Sequence, residues 1–293
     1  MKKYAVMTDS TCDIPQELAQ KYGIDILSFT IMLDGKEYSE REDLTPDRFY
    51  ELLDAAQGMP TTAQITPMTF EEKFAAYDAA GVEELLYVAI NSGGSSTYNN
   101  ALFAAAEYGD AHPDSRMRIS IVDSHTYSMG YGRFVIRAAE KLAAGAEMAD
   151  VGDYLKAGFA QVEIVLSVHS LKIIKRSGRI SAAAAFAGEL MGLRPVITLI
   201  QGETRVVQKV RGDAKMLPAL TAYMKAHAGE RSPYMVGATK GASDRHGDAR
   251  QLSRLCEEAM GYPPECIFRL GAAVTSNTGT DAVALVYLTG DES

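Results

Sequence analysis

The chain has 293 residues, 47% of them hydrophobic, and a net charge of -9 from 29 basic against 38 acidic side chains. That balance argues against a nucleic-acid or anionic-membrane surface, either of which wants a basic face. Three cysteines, Cys12, Cys256 and Cys266, lack CxxC spacing, so neither a disulfide framework nor a zinc knuckle is supported.

The opening MKKYAVMTDS holds too short an apolar run for a signal peptide. KKYAVM reads as a strand leading through TDSTCDIP to the helix-like QELAQKYG. IDILSFTIML reads as one further strand, with DGK as a tight turn after it. In MPTTAQITPMTF, residues 59–70, Pro60 and Pro67 hold an extended stretch that exposes Thr61, Thr62 and Thr66. Thr66-Pro67 also opens a helix over MTFEEKFAAYDAAG. ELLYVAI then leads through NSGGSST to YNNALFAAAEYG, and RISIV through DSHTYSMGYG to RFVIRAAEKLAAG. Strand, hydroxyl-rich or acidic loop, and glycine-closed helix thus recur three times. This plan predicts an α/β domain over 1–160, Rossmann-like, with an open parallel sheet and helices on both faces.

VEIVLSV and the hairpin PVITLIQGETRVVQKV, turning at Gln201-Gly202, begin a different pattern. DAKMLPALTAYMKAHAG and DARQLSRLCEEAMG read as helices, with YMVGATKG, CIFRL and AVALVYLTG as strands. A mixed-sheet α+β domain is expected over 161–293. The longest apolar segment, AAAAFAGELMGL, is interrupted by Glu189 and too short to span a bilayer. A cytoplasmic protein without stable membrane insertion is expected.

Ligands in open α/β sheets sit beyond the carboxyl ends of the strands, where the three hydroxyl loops fall. Gly93 and Gly94 let the backbone approach a ligand, and the helix start near Thr97 favours an anion. The plainer reading is that Ser95 or Ser96 caps that helix. Catalytic signatures fail one by one. No Walker loop is present, Gly130-Tyr131-Gly132 lacks a third glycine, and Ser95 has no G-x-S-x-G elbow. His112, His125, His169, His227 and His246 show no paired metal spacing, so no metal is expected. Ser95 with His125 and Asp123 is kept as an alternative, a hydrolase or acyltransferase site. Lys172, Lys175, Arg176 and Arg179 cluster in SLKIIKRSGRIS, as helix-terminal cations or as a surface for a phosphate or acidic partner.

The ordered set TDSTCDIP, TTAQITPMTF, INSGGSSTYNNA, VDSHTYSMGYG, LKIIKRSGRIS, RPVITLIQGE and QKVRG resembles the DegV family, across nearly the whole chain. The resemblance implies a two-domain DegV-like fold holding a long-chain fatty acid in a buried apolar tunnel, with no other cofactor. It implies no catalytic residue of the chain's own. A separate ATP-dependent fatty-acid kinase would turn the presented acid into an acyl phosphate for phospholipid synthesis. By resemblance, Thr62 and Ser95 contact the carboxylate and Arg211 the phosphorylated head group. Asn277 stands where the family often has a histidine, and cannot change charge near neutral pH. The family also suggests a monomer, and the 172–179 cations are kept as a candidate partner surface. Phe186, Leu190, Met191 and Leu193 are candidate tail-lining residues. Burial of a chain of about fifteen methylenes supplies on the order of 12 kcal/mol gross, so the tail would provide the affinity and the hydroxyls the orientation.

Overall fold

A computed structural model describes residues 3–178, 192–239 and 247–290. The chain divides into two compact units, Met1–Thr30 with Ala63–Ala160 and Ile31–Thr62 with Gln161–Ser293. Residues 31–62, expected with the first domain, group with the second unit. Bonds between residues far apart in the sequence hold them there. Tyr50 donates its hydroxyl proton to the Leu270 carbonyl at 2.5 Å, Ala273 N–H donates to Glu40 Oε1 at 2.9 Å, and Arg269 pairs with Asp47.

Strands and helices are numbered along the described chain. The first unit holds a sheet of β1 (Tyr4–Asp9), β2 (Ile24–Leu27), β6 (Glu84–Ala89) and β7 (Arg118–Asp123), in the order β2-β1-β6-β7 and parallel throughout. β6 is buried along its whole length, as a parallel strand covered on both sides must be. Its helices are α1 (Gln16–Tyr22), α3 (Pro67–Ala79), α4 (Thr97–Ala111), α5 (Met129–Ala143) and α6 (Met148–Phe159). Thr66 starts α3 as the sequence suggested, its Oγ1 accepting from Thr69 N–H at 3.3 Å ahead of Pro67.

IDILSFTIML is two strands rather than one. After β2 the Phe29 N–H turns to Ser10 Oγ at 2.9 Å, and the next strand, β3 (Thr30–Leu33), joins another sheet. That sheet, in the order β4-β3-β5, adds β4 (Lys36–Ser39) and β5 (Thr61–Ala63). Asp34 and Gly35, with φ of 48° and 76°, form the expected tight turn between β3 and β4.

The second unit's larger sheet holds β8 (Val162–Val168), β9 (Leu193–Ile200), β10 (Glu203–Arg211), β11 (Tyr234–Ala238), β12 (Ile267–Arg269) and β13 (Ala282–Leu288). It runs β10-β9-β8-β13-β11-β12, antiparallel except where β11 meets β12. Helices α2 (Pro46–Ala55), α7 (Lys172–Ser177), α8 (Met216–His227), α9 (Asp248–Met260) and α10 (Ala272–Thr278) complete the described part. One face of the sheet, with Val165, Val196, Val210 and Leu285, packs with Leu220, Met224 and Leu252 from α8 and α9 into a single core. Side chains alternate along a strand and register partners share a face. The opposite face therefore carries Ile164, Leu166, Leu193, Ile197 and Leu199. A bulge interrupts β10, where Val206 pairs with Ile197 but Gln208, not Val207, pairs with Val196.

Candidate functional site

The loops that end β1, β6 and β7 are bound to one another. Asp9, at the end of β1, is wholly buried. Its Oδ1 accepts from Thr11 N–H at 3.2 Å, from the Thr11 hydroxyl, and from Tyr131 OH at 2.7 Å. Its Oδ2 accepts from Ile90 N–H at 3.0 Å and Tyr87 OH at 3.2 Å. Burial pushes the carboxyl above its ordinary value, while the bonds from Thr11, Tyr131 and Ile90 pull it down. The same burial, with Asp9 alongside, drives Tyr87 and Tyr131 well above the usual tyrosine range.

Asn91 follows Ile90 and anchors the turn three more ways. Its N–H donates to the Thr126 carbonyl at 3.1 Å, its Nδ2 to Tyr127 OH at 2.9 Å, and its Oδ1 accepts from Gly93 N–H at 3.1 Å. Ser92 N–H donates to Asp123 Oδ1 at 3.1 Å. At Gly94 a Cβ would press on the Tyr127 hydroxyl and ring, so the tyrosine would have to move to admit one. The turn closes with Gly94 and Ser95 N–H both donating to the Asn91 carbonyl, at 3.0 and 3.2 Å.

Ser95 is half-buried at the head of α4. Its Oγ accepts from Thr97 N–H at 3.2 Å and lies 2.9 Å from Thr97 Oγ1. Ser96 occupies the N-cap position but makes no capping bond with its side chain, so the capping role falls to Ser95. Thr97 Oγ1 accepts in turn from Ile65 N–H at 3.4 Å, and Asn100 Nδ2 donates to the Ile65 carbonyl at 2.7 Å. The first turn of α4 thus grips the threonine-rich segment by the backbone of Ile65. Thr97, Asn100, Asn91 and Tyr127 were not foreseen as site residues. The threonine and the two asparagines lay inside INSGGSSTYNNA, where the Ser and Gly content drew attention to the turn alone.

The Ser95–His125 alternative is not assembled. His125 Nδ1 lies 3.3 Å from Asp123 Oδ2, but the Ser95 hydroxyl is bonded to Thr97, and no hydrogen bond joins it to His125. With the imidazole half-exposed, the pair is a loop-stabilising contact.

In the second unit, Thr62 is half-buried on β5 beside the exposed Thr61. Arg211 and Leu193 are direct register partners at the open end of the β9–β10 hairpin, so a head-group candidate and a tail candidate stand on one face. Asn277 lies on α10, with Nδ2 donating to its own helix at the Ala273 carbonyl, 2.8 Å away. Lys172, Lys175 and Arg176 occupy α7, Lys172 and Arg176 being exposed, while Ile174 between them is fully buried. Arg179, Phe186, Leu190 and Met191 lie outside the described residues.

A charged cluster not foreseen from the sequence stands near Arg211. His169 Nε2 lies 2.6 Å from Asp248 Oδ2 and its Nδ1 lies 3.6 Å from Asp213 Oδ1, which also accepts from Arg194 Nε at 2.6 Å. The Asp248 hydrogen bond, with the charges of Asp248 and Asp213, holds the imidazole above its ordinary value against desolvation and Arg194.

Among the described residues, no group of three or more His, Cys, Asp or Glu could hold a metal, and no helix is long and apolar enough to cross a membrane. A parallel α/β unit with a hydroxyl-rich turn at its strand ends and a mixed-sheet α+β unit define a two-unit α/β protein. The family profile described as "Uncharacterised protein, DegV family" matches residues 3–290. A DegV domain-containing protein of Caldanaerobacter subterraneus subsp. tengcongensis is 31% identical over 98% of this chain and 99% of its own. One from Deinococcus radiodurans is 29% identical over 96% of each chain. The chain belongs to the DegV family. A solved DegV family protein from Thermus thermophilus, described for its fatty acid binding, matches with TM-score 0.85 at 28% identity, covering 98% of this chain and 99% of that one. A stearic acid-binding protein from Eubacterium ventriosum shares the fold at TM-score 0.86 and 21% identity, over 99% of both chains.

Proposed function

We propose that this protein binds a long-chain fatty acid and presents its carboxylate to a separate ATP-dependent kinase, without catalysing a reaction itself. The observation that carries this reading is the Ser95 turn, which sets a half-buried hydroxyl at a helix N-terminus. Fatty acid binding by the Thermus thermophilus relative supports it. Ser95 and Thr62 donate to the carboxylate, and neutral donors leave its oxygens available for phosphoryl transfer where a buried ion pair would hold them back. Arg211 receives the phosphorylated head group, with Asn277 as a further polar contact that offers no proton switch. The tail runs along apolar side chains among which Leu193 is one. Phe186, Leu190 and Met191 are proposed for the same wall. The kinase meets the cations of α7, Lys172, Lys175 and Arg176, together with Arg179. The acyl phosphate then enters phospholipid synthesis, and the carrier works as a cytoplasmic monomer.

Lipid extraction from the purified protein followed by mass spectrometry tests the reading. A long-chain acid in near-stoichiometric amount is expected. Finding none, and no uptake when the acid is added, would falsify it.

A further inference from the structure

Two backbone N–H groups fix the direction of the hydrogen bonds around Ser95. Each can only donate, so Ile65 gives a proton to Thr97 Oγ1 at 3.4 Å, and Thr97 N–H gives one to Ser95 Oγ at 3.2 Å. The remaining bond joins the two hydroxyls, 2.9 Å apart, and either oxygen can donate in it. Thr97 is fully buried, so its own proton has no water to turn to. Its source of order is fixed as well, because Asn100 holds the Ile65 carbonyl at 2.7 Å.

An anion at the turn decides the open choice. Ser95 then gives its single proton to the anion, and the Thr97 hydroxyl donates to Ser95. Both lone pairs of Ser95 Oγ are now filled by one residue, through its N–H and its O–H. No acceptor capacity is left.

We propose that Thr97 is the positioning residue that makes Ser95 an obligate donor, so that the turn selects an ionised carboxylate over an uncharged head group. This rests on the carrier reading given above. An alcohol or a protonated acid brings a proton that finds no acceptor on Ser95, and a donor left unmet there costs affinity. The selection therefore comes from a residue that never touches the ligand.

The test measures palmitate and the matching fatty alcohol in competition with a fluorescent fatty acid on delipidated protein. Thr97→Val keeps the side-chain shape and removes the hydroxyl. It is expected to weaken palmitate about tenfold while leaving the alcohol within about twofold, because Ser95 regains a lone pair. Thr97→Ser is expected to restore both affinities and the preference, which a purely packing role for the threonine would not. If the valine variant does not fold, by circular dichroism, Thr97→Ala is read in its place with the same expectation. A wild-type preference for palmitate retained in the variant lacking the hydroxyl overturns the role of Thr97 alone. Wild-type protein that binds neither palmitate nor the probe overturns the carrier reading before any substitution is made.

Discussion

Asp9 accepts from main-chain donors at both carboxylate oxygens, Thr11 N–H at Oδ1 and Ile90 N–H at Oδ2. In Asp9→Asn, either orientation of the amide sets its NH2 group against one of those N–H groups. A loss of about 2 kcal/mol is expected in urea unfolding, since a buried donor left unmet costs about that much. Ser95→Ala and Thr62→Ala are each expected to weaken fatty acid binding about tenfold by calorimetry; Thr62→Ala should barely move the melting temperature, whereas Ser95→Ala also removes the α4 cap and about 1 kcal/mol of stability. His169 gives a pH signature with a defined sign. Its folded-state pKa is raised above the ordinary 6.5, so its contribution is complete below that value and is lost as pH rises through the higher one. Denaturant midpoints should fall across this window in the wild type, and His169→Gln should flatten that part of the profile. The turn and the cap at Ser95 were legible from the glycines and hydroxyl neighbours. Asp9 and Thr97 were not, because their importance comes from chain segments some 80 and 30 residues away, Ile90 and Ile65, that meet only once the sheet has formed.

The strand-loop-helix units of the first unit were readable because continuous apolar runs and closing glycines set their limits. Other elements left weaker traces. The helix α2 carries a clear start, Thr45 Oγ1 accepting from Arg48 N–H at 3.3 Å ahead of Pro46, yet four of its ten residues are charged and break up the apolar run. The helix α10, AAVTSNT, has poor helix formers, and its Thr275, Ser276, Asn277 and Thr278 side chains bond back to carbonyls of their own or the preceding turn, so tertiary packing overrides propensity there. Close element packing makes Gly132 of α5 irreplaceable. A Cβ there would strike the Cys12 carbonyl in the turn after β1, and Gly132→Ala should cost about 1–3 kcal/mol in thermal or urea unfolding. For α7, Lys175→Glu with Arg176→Glu is expected to leave palmitate affinity unchanged and to slow kinase-dependent acyl phosphate formation. Unchanged phosphorylation would remove α7 from the partner surface.

For the whole chain, motif order was more informative than any one motif, and the profile match over residues 3–290 shows why. The division of the chain was less legible. Nothing in the composition of 31–62 marks it as leaving the first unit, because its attachment depends on pairs such as Tyr50–Leu270 that are 220 positions apart. A carrier that binds only when folded must also be steadied by its cargo. Delipidated protein given palmitate at about one hundred times its Kd should gain about 2.7 kcal/mol and melt about 5 °C higher. No rise on loading would speak against a site formed by the native state.

The extra residue in β10 has an outcome that reaches the end of that strand. Up to Val206 the hairpin counts in one parity, and from Gln208 onward in the other. Because Val207 is skipped, Val210 points into the helix-packed core and Arg211 emerges beside Leu193. Draw that one valine into the ladder and every later residue changes sides: a guanidinium would be driven toward Met216 and Val196, while an aliphatic side chain would take its place on the other face. The placement of the cation is thus written as arithmetic in the backbone, several residues before the arginine itself.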